Sequence, residues 1–140
     1  MAYIGNFVGS RAGSYIGRTP GLSSDGSGNL IINDDLTIGS ESISTSSTTE
    51  TTLISFSANL YRTLECTVQI TKGTDYHSTK LMIIHDGSDT YMTEYATLVT
   101  GSTLGSFSSS ITNSGNILVQ VTPSDATART IKIKYNMISA

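Results

Sequence analysis

His85 and Asp86 are adjacent, and Glu94 follows about one hairpin later. An imidazole with two carboxylates is the donor set of a divalent-metal site or of general acid–base chemistry. The spacing argues against both. Neighbouring residues on a strand point to opposite faces, so His85 and Asp86 cannot meet one ion unless a bulge intervenes. Asp86 also opens the turn Asp86-Gly87-Ser88-Asp89, where aspartate is favoured because its carboxylate accepts hydrogen bonds from turn N–H groups. His85 is therefore read as structural, and so is His77, set in a Gly/Asp-containing turn. Asp25, Asp34 and Asp35 sit close together in turn-forming sequence and are the one candidate for a weak calcium site, although Asp25-Gly26-Ser27-Gly28-Asn29 lacks the closing acid of a calcium loop. Cys66 has no second cysteine to pair with and no cationic neighbour to activate it, so it reads as a small core residue. Gly101-Ser102-Thr103-Leu104-Gly105 places its serine second rather than third, which is not a nucleophile elbow. No catalytic, metal or cofactor residue is assigned, and the chain is expected not to be an enzyme.

Tyrosines offer a different chemistry. A flat ring packs on the apolar face of a pyranose, and Tyr61, Tyr76, Tyr91 and Tyr95 are available to do so, though the chain has no Trp. Strand propensity and cross-strand packing account for tyrosines equally simply. Tyr76 and Tyr91 are the candidate ligand-binding residues, in or beside the turns expected at residues 72–78 and 86–90.

These side chains must be positioned by strands. Of 140 residues, 22 are Ser, 21 Thr and 13 Gly, while charged residues make up 14%. Such a composition disfavours helices, yet 37% hydrophobic residues suffice for the core of one β domain. A net charge of −3 gives no footprint for nucleic acid. No apolar run approaches a membrane span, and Met1-Ala2-Tyr3-Ile4-Gly5-Asn6 lacks the basic-then-apolar pattern of a signal peptide, so synthesis in a cytosol is expected.

From residue 53 the apolar period is 2. Leu64, Cys66, Val68 and Ile70 alternate with polar neighbours, and Ile131, Ile133, Tyr135 and Met137 alternate with Lys132, Lys134 and Asn136. Leu81-Met82-Ile83-Ile84 is a continuous apolar run, the pattern of a central strand covered on both faces. Pro123 ends the strand that begins at Ile117. Seven or eight such strands predict an antiparallel β-sandwich, jelly-roll or Ig-like, over residues 53–140. Residues 1–52 read as an extended arm, with short strands at Leu30-Ile31-Ile32 and Leu36-Thr37-Ile38 and a Ser/Thr-rich linker or exposed extended strand at 39–52. Tyr3, Ile4, Phe7, Val8, Tyr15 and Ile16 are large apolar residues on a Gly-rich segment with no core of its own. They are the candidate assembly contacts.

Within residues 55–138, Val68-Gln69-Ile70, Ile84-His85-Asp86-Gly87, Glu94-Tyr95, Leu104-Gly105-Ser106-Phe107, Gly115-Asn116-Ile117 and Val121-Thr122-Pro123 together resemble a β-rich domain of tailed-phage virion proteins, marine and cyanophage ones in particular. Met1-Ala2-Tyr3-Ile4-Gly5 is similar to the start of many such proteins, and Asp25-Gly26-Ser27-Gly28-Asn29-Leu30 with Asp35-Leu36-Thr37-Ile38 is similar to short repeats in their shafts. The resemblance implies a virion structural protein made in the host cytoplasm. It implies a homotrimer as well, with other virion proteins and further copies of the chain as partners, and neither nucleic acid nor membrane. The leading expectation is a capsid decoration or cement protein anchored by its arm. The alternative is a tail-fibre or receptor-binding module that recognises a host glycan.

Overall fold

Alternating apolar residues give each strand one face to bury, and two sheets bury those faces against each other. The computed structural model describes residues 21–140. The candidate assembly contacts Tyr3, Ile4, Phe7, Val8, Tyr15 and Ile16 lie outside the described residues. Ten strands follow in order: β1 (Leu22–Ser24), β2 (Leu30–Ile32), β3 (Leu36–Thr45), β4 (Thr51–Ser57), β5 (Tyr61–Lys72), β6 (Asp75–His85), β7 (Thr90–Val99), β8 (Gly105–Ile111), β9 (Asn116–Pro123) and β10 (Arg129–Ser139). They form a seven-stranded sheet, β1-β2-β3-β10-β5-β6-β7, and a three-stranded sheet, β4-β9-β8. Every pairing is antiparallel. The fold is an all-β antiparallel sandwich, as the alternation predicts.

The inward faces meet in one core. Leu64, Val68 and Ile70 of β5, Leu81 and Ile83 of β6 and Ile131 and Ile133 of β10 pack against Ile117, Val119 and Val121 of β9 and Leu53, Ile54 and Phe56 of β4. Leu53 and Ile54 are consecutive and both buried because the β4–β9 register slips between Thr52 and Ile54, and such a bulge gives two successive residues the same side. Cys66 belongs to this core, and burial pushes its thiol up to about 12, which keeps it unreactive.

The Ser/Thr-rich stretch is an extended strand over its first part. β3 pairs with β10 along ten residues, from Thr45 opposite Arg129 to Leu36 opposite Ile138. Backbone hydrogen bonds, rather than apolar side chains, hold it there. Gly39 is required in the middle of this ladder. It lies directly opposite Tyr135, and a Cβ at Gly39 would collide with the Tyr135 ring and the Asn29 amide. Freed of that obstacle, Tyr135 is buried and its hydroxyl donates to Asn29 Oδ1 at 3.1 Å.

Arg129 closes the other end of the core. Its side chain is fully buried, and it donates to the carbonyls of Leu104, Asp125 and Thr127 and to the Asp125 carboxylate. A buried guanidinium persists when its donors are satisfied in this way. Leu104 is held from the opposite side too, since its N–H donates to His77 Nδ1 at 3.2 Å. His77 thus stands on β6 facing the core, not in a turn as the sequence suggests. Burial holds it below the ordinary imidazole value, with Glu94 offsetting part of the effect.

Candidate functional site

The even-numbered residues of β6 face away from the core, and this exposes half of the run expected to be covered on both faces. Leu81 and Ile83 are buried, whereas Met82 and Ile84 are 45% and 47% exposed. An unbroken apolar run cannot show that no third layer covers the sheet. Among the described residues no third layer covers the outer face, and its apolar residues are a surface rather than a core.

Tyr91 and Tyr95 extend that surface across β7, the edge strand. The register sets Tyr91 opposite Ile84, Thr93 opposite Met82 and Tyr95 opposite Lys80. Tyr76 lies on the same face at the start of β6, and Tyr76, Tyr91 and Tyr95 are all exposed. Tyr91 and Tyr95 are four residue steps apart, about 13 Å along the strand, which exceeds a single pyranose ring. Beside Tyr91 lies a groove of about 330 Å³ lined by Thr63, Met82, Ile84, Tyr91, Met92 and Thr93. Beyond Tyr95 the register shifts opposite Ser78 and Lys80, and Ala96 takes φ 55°, a left-handed conformation uncommon outside glycine. The bulge places Leu98, the most exposed large apolar residue here at 74%, opposite Ser78.

Tyr91 is oriented by the adjoining hairpin. Asp86 accepts the backbone N–H groups of Ser88 and Asp89, each at 2.8 Å, and the Tyr91 hydroxyl at 3.0 Å. Those N–H donors and then the hydroxyl hold the Asp86 carboxyl down at about 2, while the same contact pushes the Tyr91 phenol up. The ring is pinned at its hydroxyl end, and its faces remain open.

Other candidates disperse. The two turns around residues 72–78 and 86–90 lie at opposite ends of β6, so they do not form one recognition tip; Tyr76 and Tyr91 share a sheet face instead. Tyr61 leaves the tyrosine group altogether: it packs edge-on against Phe56, with ring centroids 6.3 Å apart, and its hydroxyl meets Thr37 Oγ1 at 3.0 Å. His85 points into the core, with Nε2 donating to the Tyr61 carbonyl at 2.7 Å, away from the Asp86 carboxylate. Glu94 stands across from Leu81, farther along the hairpin. Asp25 accepts hydrogen bonds from Ser27 and Asn29 within its own turn, and among the described residues no group of three or more His, Cys, Asp or Glu could hold a metal ion. No helix among them is long and apolar enough to cross a membrane.

No protein-family model matches the chain, and no curated protein does either. Solved structures do. The tailspike protein of Acinetobacter phage vB_ApiP_P1 aligns with 72% of this chain and 22% of its own length at 14% identity, with a TM-score of 0.45. The tailspike protein of Acinetobacter baumannii bacteriophage Fri1, a capsular polysaccharide depolymerase, aligns with 95% of this chain and 24% of its own at 12% identity, also with a TM-score of 0.45. The chain therefore spans less than a quarter of the length of either tailspike. A depolymerase is an enzyme, so the expectation that the chain is not an enzyme is corrected by this comparison. Both proteins are phage tailspikes, and it is to a segment of a tailspike that this chain is similar.

Proposed function

We propose that the chain is a glycan-binding module of a phage tail and that it presents the outer face of β6 and β7 to a polysaccharide on the host surface. One observation carries the reading: Tyr76, Tyr91 and Tyr95 are exposed on one sheet face, Tyr91 directly beside Ile84, with no duty in the core. Stacking rings on an apolar floor match the apolar faces of sugars, and the carboxylate-pinned Tyr91 loses little freedom on binding. An exposed aromatic face is what a glycan reader needs, which supports the tail reading over a capsid decoration or cement protein. The names of the compared tailspikes point the same way, one of them being a capsular polysaccharide depolymerase. In this reading the virion is the location. The Gly-rich N-terminal segment acts as an arm that attaches, through Tyr3, Ile4, Phe7, Val8, Tyr15 and Ile16, to other virion proteins or further copies of the chain, and the sandwich, with β3 as one of its strands, forms the binding domain.

The test is binding of the purified chain to host capsular polysaccharides by calorimetry, alongside Tyr91→Ala and Tyr95→Ala. A lost stacking contact of about 0.5–1.5 kcal/mol weakens binding by roughly 2- to 13-fold per residue. Saturable binding that both variants weaken supports the reading. Absence of binding, or binding that neither variant changes, overturns it.

A further inference from the structure

A second feature of the same sheet lies away from the tyrosines. β10 runs between β3 and β5, and its outward residues Lys132 and Lys134 are exposed. Each is flanked by small polar neighbours: Lys134 by Ser40 and Thr67, Lys132 by Ser42 and Gln69. Short serines on one side and a threonine on the other leave a groove of about 530 Å³ over β10. A further groove of about 450 Å³, bordered by Ser44, Thr71 and Thr130, continues it along the same three strands. The result is a shallow trough of short hydroxyl side chains from which the longer Lys132 and Lys134 side chains project.

Among the described residues neither ammonium group is within ion-pair distance of a carboxylate, although Glu65 borders one cleft with Lys134. Lys72 and Arg129 pair with Asp125, Lys80 pairs with Glu65 at 3.5 Å, and Arg62 donates to the His85 carbonyl. Among the described residues, Lys132 and Lys134 have no such partner. They are two residues apart on one strand face, about 7 Å, so they raise the local potential together. Glu41 borders the groove but lies opposite Ile133, whose side chain is in the core, and its charge acts on the buried Tyr135. By alternation it belongs to the opposite face. In a chain of net charge −3, the trough is a local positive exception.

We infer that this trough binds an acidic stretch of polysaccharide, with Lys132 and Lys134 meeting carboxylates of the sugar chain and Ser40, Ser42, Thr67 and Gln69 meeting its hydroxyls. The inference rests on the glycan reading and adds the charge class of the glycan. Two lysines on a net-acidic domain are too few for a nucleic-acid backbone, whose binding depends on many phosphate contacts.

The experiment titrates the chain with uronate-bearing capsular polysaccharides and with the same polymers after their carboxyls have been reduced to alcohols. A dT20 oligonucleotide is titrated in parallel, and all titrations are repeated with Lys132→Gln/Lys134→Gln. Both lysines are exposed, so an unchanged thermal melt is expected for the variant. The expected result is salt-sensitive binding of an acidic polymer that weakens about tenfold on carboxyl reduction and about tenfold in the double variant. Equal binding of parent and reduced polymers, or an unaffected double variant, overturns this inference and leaves the glycan reading standing. Preference for the oligonucleotide overturns it in favour of a nucleic-acid surface. Failure to bind any polymer overturns both readings.

Discussion

Replacing Gly39 by alanine tests how β3 is seated on β10. Gly39 has no positive φ, so its backbone alone would accept alanine, and removing a glycine from a strand ordinarily stabilises by about 0.4–1 kcal/mol through the unfolded chain. The structure reverses that sign. The new Cβ would strike the Tyr135 ring and Asn29 Oδ1, so the buried ring must shift and its hydroxyl must leave Asn29. Overpacking costs about 1–3 kcal/mol and the lost hydrogen bond about 1 kcal/mol. After the unfolded-state gain is subtracted, Gly39→Ala should destabilise by about 1–3 kcal/mol. Urea unfolding followed by circular dichroism measures this, with Tyr135→Phe isolating the hydroxyl at about 1 kcal/mol. A Gly39→Ala midpoint equal to or above that of the parent would refute the account of the glycine as a seat for Tyr135.

Two further outcomes follow from strain and from burial. Ala96→Gly relieves a left-handed alanine at an exposed bulge and should stabilise by about 0.5–1 kcal/mol in the same assay, whereas a loss would show that the bulge does not need that conformation. His77 is held neutral by burial and accepts the Leu104 N–H, so its protonation opposes folding. Its folded value lies below the unfolded 6.5, hence its contribution is complete above about pH 6.5 and is lost as pH falls through the folded value. The urea midpoint should therefore drop between pH 7.5 and pH 5, a window above the titration of the carboxylates, and His77→Gln should flatten the slope. An identical slope in the variant would exclude His77 as the source.

The strands that carry the core were legible because burial writes a period of 2 into β5, β9 and β10. β3 was harder to read, since its outward residues are Ser and its hold on β10 is backbone pairing, which leaves little mark on side-chain type. Met82 and Ile84 were misread for a related reason: an apolar residue facing a bare sheet surface is spelled the same as one facing a core. Tyr61 and Tyr91 occupy similar places near strand starts, yet one packs on Phe56 and the other faces outward, a difference set by strand pairing across the sandwich. The alternation of Lys132 and Lys134 with Ile131 and Ile133 was visible from the start. What could not be seen was that β3 and β5 would flank them with small polar side chains.

The strand order also sets a direction. β1, where the described chain begins, and β7, which bears Tyr91 and Tyr95, are the two margins of the seven-stranded sheet. Six strand spacings separate them, about 29 Å. Anything that grips the molecule at residue 21 holds it like a handle, and the tyrosine margin becomes the far end of a stiff lever.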